Sequence, residues 1–170
     1  MLAGSRRYVY PARNGVRVKL IHYSKHPVSL PLIDTTARLE RAGFKPDGLW
    51  VSVEGEYDWK SWCQSEGFGL DRFEYETEIV LAADHRVWVT PFPGEVEETY
   101  RIGGSCYRRD YIDWPRVAEQ YDGLIITPYC WESRFNVSFY YSWDCASGCI
   151  WNPRAIERVT IRKACQAVIS

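Results

Sequence analysis

The chain has 170 residues, 46% of them hydrophobic and 25% charged, with a formal net charge of −1 and a pI near 6.3. That length is enough to bury the core of one domain. The near-neutral charge argues against a broad basic surface for duplex nucleic acid, and no apolar run approaches the roughly 18 residues of a membrane span. Arg6 and Arg7 have no apolar segment after them, so the start does not read as a secretion signal, and a cytoplasmic protein with no membrane partner is expected.

Residues 7–10 and 16–23 read as two strands about an Asn14-Gly15 turn, a strong two-residue hairpin signal. The second strand ends Leu20-Ile21-His22-Tyr23-Ser24 and runs into Lys25-His26-Pro27, and Pro27 and Pro31 predict irregular backbone beyond it. Residues 35–43 predict a short helix with Ala37, Leu39 and Ala42 apolar and Gly43 as its stop. Pro46-Asp47-Gly48 is a turn that opens onto the apolar strand 49–53. A helix follows from about Asp58, its N-cap, to Glu66, and Gly67 stops it.

Residues 73–82 alternate, with Phe73, Tyr75, Thr77, Ile79 and Leu81 opposite Glu74, Glu76 and Glu78, the pattern of a half-exposed strand. Residues 86–92 form another strand, and 94–100 a short acidic helix or loop. Asp113-Trp114-Pro115 opens a helix to Tyr121, with Asp113 as N-cap and Pro115 in the tolerated first turn. Asp122-Gly123 turns into strand 124–127, and 128–134 reads as a loop. The alternation in 137–143 predicts a strand, 144–148 a tight turn, 149–151 a short strand and 158–169 a long final one. Short strands interrupted by two or three short helices, with no βαβ alternation, predict an α+β class. The expected architecture is mostly antiparallel, two packed sheets or a split barrel, in a single domain.

Six cysteines at 63, 106, 130, 145, 149 and 165 include no CxxC pair. Buried free thiols are expected before a disulfide, and no metal site is expected, since His22, His26 and His85 do not cluster with the cysteines at zinc-ligand spacing. There is no G-x-S-x-G elbow, phosphate-binding P-loop or H-E-x-x-H motif.

Three segments in order carry a resemblance. The first is Leu20-Ile21-His22-Tyr23-Ser24, a strand ending in histidine. The second is Gly48-Leu49-Trp50-Val51-Ser52 with the helix bearing Trp59, Trp62 and Cys63. The third is Ser147-Gly148-Cys149-Ile150-Trp151-Asn152, running into Ala155-Ile156. Together they resemble the three NAD-binding segments of ADP-ribosyltransferases of the diphtheria-toxin and poly(ADP-ribose) polymerase branch. The resemblance implies an ADP-ribosyltransferase-like fold, NAD as substrate, and transfer of ADP-ribose to a protein or nucleic-acid acceptor, or hydrolysis of NAD.

Cleavage of NAD expels neutral nicotinamide and leaves an oxocarbenium-like ribose, as in glycoside hydrolysis. A site for it must hold the nicotinamide, fix the riboses and stabilise positive charge at the anomeric carbon. By the resemblance, His22 holds a ribose hydroxyl, the backbone of Tyr23 meets the nicotinamide amide, and Trp50 stacks on the ring. Ser24 and Ser52 contact ribose or amide groups, while Gly48, Leu49, Trp59 and Trp62 complete the binding unit. Three positions depart from the pattern: Tyr23 stands where the family has glycine, Trp50 where it has the stacking tyrosine, and Ser147 where it has the glutamate that steadies the cation. Asp144 is the nearest acid to that position, three residues earlier, with Glu132 a weaker substitute.

Each residue also has a plainer reading. His22 can be a hydrogen-bonded strand residue, Trp50 core, Trp59 and Trp62 the packing face of a helix, and Asp144 a turn residue. The alternative to an enzyme is a catalytically inert module that uses the same aromatic pocket for a nucleotide or a protein.

Overall fold

The computed structural model describes residues 18–29, 36–41, 43–55, 57–103 and 111–164. The predicted strand 7–10 and the Asn14-Gly15 turn lie outside them, as do Cys106, Cys165 and the end of the last predicted strand. Nine strands and three α-helices are built from the described residues. In chain order they are β1 (Leu20–Ser24), β2 (Leu49–Val53), α1 (Trp59–Glu66), β3 (Tyr75–Leu81), β4 (Val87–Thr90), α2 (Pro93–Tyr100), β5 (Arg101–Ile102), β6 (Tyr111–Ile112), α3 (Trp114–Ala118), β7 (Gly123–Ile126), β8 (Ser147–Ile150) and β9 (Ile156–Lys163).

Seven of the strands make one sheet in the order β4-β7-β8-β2-β1-β3-β9, curled into a half-barrel, and β5-β6 form a small second sheet. All neighbours in the large sheet are antiparallel except β4 and β7. The α+β class and its mainly antiparallel character are as the sequence predicts. Of the two expected arrangements, the curled half-barrel is nearer to the split barrel, and the second sheet is small.

Local chemistry sets the elements nearest the predicted site. Val51, at 1% exposure, sits at the centre of β2, and Leu49 and Val53 beside it are buried in the same cluster. Asp58 caps α1 by accepting from the Ser61 amide at 2.8 Å, and Gly67 ends the helix at φ 62°, where a side chain is disfavoured. Close approach fixes Gly48: a Cβ there would stand 2.6 Å from the Ile150 carbonyl oxygen and 2.7 Å from Cys149 Sγ. Gly148 meets the same limit, since its Cβ would press into the Leu124 carbonyl and lie 2.6 Å from Ile125 Cγ1. Glycine therefore lets β2, β8 and β7 close up.

The predicted strand 137–143 is a correction. This stretch is a run of local turns with a 3-10 segment at Tyr140–Ser142. Its amides bond within the chain nearby: Val137 to Ser133 O at 2.9 Å, Tyr141 to Val137 O at 3.3 Å and Trp143 to Tyr140 O at 2.8 Å. Phe139 and Tyr140 are adjacent and both fully buried. Adjacent residues of a strand point to opposite faces, whereas here Phe139 and Tyr140 are both inside and Tyr141, of the alternating apolar set, is 48% exposed. The predicted helix 35–43 is reduced to a 3-10 turn at Thr36–Arg38, and α3 ends at Ala118 rather than Tyr121.

Just before β7, Asp122 ties the residue that precedes β4 to the segment between β8 and β9, the end of the third motif. The residue is 1% exposed, and its carboxylate accepts from Arg86 N and Nη2 at 3.0 Å, Arg154 Nε at 2.9 Å and Asn152 Nδ2 at 3.1 Å. Its own carbonyl takes the amides of Trp151 and Asn152 at 3.1 Å. Burial alone would raise the pKa of this carboxyl, but the bonds from Arg154 and Arg86 outweigh it and hold the carboxyl below the usual range. Replacing Asp122 by Ala removes several charge-assisted bonds to half-exposed arginines. The expected cost is about 2 kcal/mol in urea unfolding with the slope unchanged; a midpoint within error of the wild type would contradict it.

Candidate functional site

The feature that makes a site is a short ladder. β1 pairs β3 over five residues, from Leu20↔Ile79 to Ser24↔Tyr75. It pairs β2 only at Leu20↔Val53 and Ile21↔Ser52. Beyond that point β2 continues along β8 as far as Leu49↔Ile150. The two strands carrying the first and second motifs therefore part at His22, and the imidazole spans the gap, with Nδ1 at 2.7 Å from the Trp50 carbonyl oxygen.

A carbonyl oxygen only accepts, so Nδ1 carries the proton in this bond. Burial pushes the His22 pKa below its ordinary 6.5, although the bond to Trp50 opposes the shift. The ring is therefore neutral at pH 7, and its Nε2 is an acceptor.

Beside this bond lies a cleft of about 370 Å³. His22 and Ser24 come to it from β1, Gly48 and Leu49 from β2, and Arg38 and Asp47 from the segments between. Its volume is at the low end for a small-molecule site. Lys25 adds a cationic group and His26 an imidazole at the turn after β1, where Ser24 Oγ donates to the His26 carbonyl at 2.7 Å. Arg38 Nε and Asp47 Oδ2 are 3.2 Å apart with both side chains half-exposed, a geometry in which water screens most of the attraction. Asp47 is the one acidic side chain among the described residues of the lining.

Thus His22, Ser24, Gly48 and Leu49 of the sequence-predicted set come together. The others lie on the opposite side of the strands, because consecutive strand residues alternate. The phenol ring of Tyr23 packs on Phe73 at 4.9 Å with Lys60 Nζ 5.8 Å from its centre. Ser52 Oγ accepts the Trp59 amide at 2.9 Å, which seats α1 on this face. Trp50 packs edge-on against Trp143 at 4.9 Å, and Lys45 Nζ stands 5.1 Å over its ring. Its carbonyl faces the first motif while its indole does not line the cleft. Trp59 and Trp62 stack on one another at 5.1 Å and both touch Phe68, and only Cys63 of α1 is buried.

The two residues expected to stand in for a third-motif acid are engaged elsewhere. Asp144 Oδ1 is 3.0 Å from Arg134 Nη2. Ser147 is 8% exposed, paired with Ser52, and its hydroxyl donates to the Cys145 carbonyl at 3.0 Å. Neither lines the cleft. Glu132 is exposed on a 3-10 turn. The residues that sequence reasoning missed are Lys25, His26, Arg38 and Asp47. Two of them adjoin quoted motifs, but nothing in their spacing says that they converge.

Cys63, Cys145 and Cys149 are buried free thiols, and Cys130 is half-buried. Burial pushes the Cys63 thiol to about 11 and Cys145 to about 12, which keeps both protonated and unreactive at neutral pH. Among the described residues no group of three or more His, Cys, Asp or Glu is placed to hold a metal ion, and no helix is long and apolar enough to cross a membrane.

Comparison with known proteins found no matching family model, no matching curated protein and no matching solved structure.

The His22 shift has a pH consequence. Its folded pKa lies below the unfolded value of 6.5, so below pH 6.5 the unfolded chain binds more protons at this position. The contribution of His22 to stability is complete above pH 6.5 and is lost as pH falls through the folded pKa. His22→Gln should flatten the fall in stability that this group causes below pH 6.5. Parallel profiles for the two proteins by thermal unfolding would contradict the assignment.

Proposed function

We propose that the chain is an ADP-ribosyltransferase-like protein that binds NAD in the cleft beside His22. One observation carries the reading: the histidine that ends the first motif is hydrogen-bonded to the backbone of the second, at the mouth of a cleft lined by both. The neutral imidazole offers Nε2 to a ribose hydroxyl. Lys25 and Arg38, at the rim, suit the diphosphate of a dinucleotide. Leu49, rather than Trp50, is the apolar side chain of the second motif that faces the bound ring.

In the reaction proposed, the bond between the anomeric carbon and the nicotinamide nitrogen breaks, and its electron pair leaves with nicotinamide. An acceptor on a protein or nucleic acid, or water, bonds to the anomeric carbon and releases a proton to solvent. The residues of the cleft orient the sugar and the diphosphate.

A second reading, binding without transfer, has its own support. Ser147 is buried and internally bonded, and the Asp144 charge is matched by Arg134. Both readings require NAD to bind. Calorimetry should detect binding at millimolar NAD or below, and His22→Ala should weaken it about tenfold or more, the loss of one good hydrogen bond to a buried acceptor. No heat at millimolar NAD would overturn both forms. Nicotinamide release that Asp144→Asn abolishes would favour the enzyme with Asp144 in its machinery. Binding without release would favour the inert module.

A further inference from the structure

A carboxylate is out of place in a cleft that offers cations to a diphosphate. Asp47 nevertheless stands beside Lys25 and Arg38, as the one acid among the described residues of the lining. A negative side chain near a bound dianion weakens binding unless it meets a positive charge elsewhere on the ligand. NAD carries such a charge. It lies on the nicotinamide ring before cleavage and moves to the anomeric carbon as neutral nicotinamide leaves.

The third motif brings no side chain to the cleft, but it fixes the backbone on both sides of Asp47. Cys149 Sγ donates to the Pro46 carbonyl at 3.7 Å, and the β2–β8 ladder begins at Leu49↔Ile150. Between these anchors Gly48 is pressed so closely onto β8 that no side chain fits there. Asp47 is therefore held at the cleft by its neighbours in the chain, while its own side chain stays open to solvent.

Two carboxylates compete for the task of meeting the cation. The side chains of Asp144 and Arg134 are 24% and 21% exposed, and Arg134 is braced further by Tyr129 and the Trp143 carbonyl. Those of Asp47 and Arg38 are 50% and 61% exposed. Water already weakens the attraction in this second pair, so a ligand can divide it at little cost. A diphosphate that takes the Arg38 guanidinium leaves the Asp47 carboxylate to the positive end of the same ligand.

We propose that Asp47 is the catalytic carboxylate of the cleft: it exchanges Arg38 for the substrate and stabilises the positive charge that develops at the anomeric carbon. The assignment rests on NAD as the ligand, the function proposed above. In the step, the bond from the anomeric carbon to the nicotinamide nitrogen breaks and its electron pair leaves with nicotinamide. Asp47 forms no bond and takes no proton. The acceptor or water bonds to the anomeric carbon and releases its proton to solvent.

The test compares the full chain with Asp47→Asn, Asp47→Glu and Asp144→Asn, by calorimetry with NAD and by nicotinamide release at saturating NAD. Asp47→Asn keeps the shape of the side chain and removes its charge. Its NAD affinity should stay within about threefold of the wild type, because the diphosphate and the ring cation act on the carboxylate in opposite senses. Its release of nicotinamide should fall about a hundredfold or more, the loss expected when a group aimed at transition-state charge is removed. Asp47→Glu should recover part of that rate. Thermal unfolding checks each variant, and Asp47→Ser replaces Asp47→Asn if the latter does not fold. Unchanged release in Asp47→Asn, or release lost only in Asp144→Asn, overturns the role of Asp47 and leaves the NAD site standing. A wild-type protein that binds NAD without releasing nicotinamide overturns that role in favour of the inert module. One that binds no NAD overturns the site and the role of Asp47 together.

Discussion

The bond from His22 Nδ1 to the Trp50 carbonyl is the contact on which the site depends. In a continuous antiparallel ladder that carbonyl would face the neighbouring backbone. Here the β1–β2 ladder ends after Ile21↔Ser52, and a side chain takes over the role of the missing backbone donor. The consequences follow from ordinary hydrogen-bond chemistry. The strands are held apart without leaving Trp50 O unsatisfied, the ring is fixed in one tautomer, and its second nitrogen is left as an acceptor at the edge of a cleft. Neither strand could open in this way if β2 were not held on its other side. Its pairing with β8 from Leu49↔Ile150 to Ser52↔Ser147 provides that, and glycine at 48 and 148 lets the backbones come close.

The sheet divides the motif residues into two environments. On one side His22, Ser24, Gly48 and Leu49 meet basic groups and a single acid, Asp47, in a solvent-reached cleft. On the other, Trp50, Ser52, Trp59, Trp143 and Ser147 form a packed layer under α1, in which Cys63 and Cys145 stay protonated. The first environment suits recognition of a polar ligand with hydroxyl and anionic groups. The second suits stability. The charge of Asp144 belongs to the second, where Arg134 neutralises it; Arg134 also bonds Tyr129 and the Trp143 carbonyl.

What could be read from sequence was what is encoded locally. The Pro46-Asp47-Gly48 turn, the apolar strand after it, the Asp58 cap and the Gly67 stop all depend on residues within a turn of one another, and the elements appear where those residues predict them. The class followed from counting short strands. Residues 137–143 were misread because their alternation does not track burial: Phe139 and Tyr140 are both inside, and Tyr141 is exposed. The Asp122 clamp was invisible because its arginines lie 36 and 32 residues away. The same limit governed the site: a motif shows which residues are adjacent in the chain, but register decides which of them share a face. His22 and Trp50 meet through a carbonyl, while the indole of Trp50 packs on Trp143.

The central claim is that the cleft beside His22, not the aromatic layer around Trp50, receives the ligand. A crystal structure of the protein with NAD tests it most directly. The account predicts a ribose hydroxyl within hydrogen-bond distance of His22 Nε2, the ring against Leu49 and the diphosphate towards Lys25 and Arg38. Nicotinamide stacked between Trp50 and Trp143, with the His22 cleft unfilled, would contradict it.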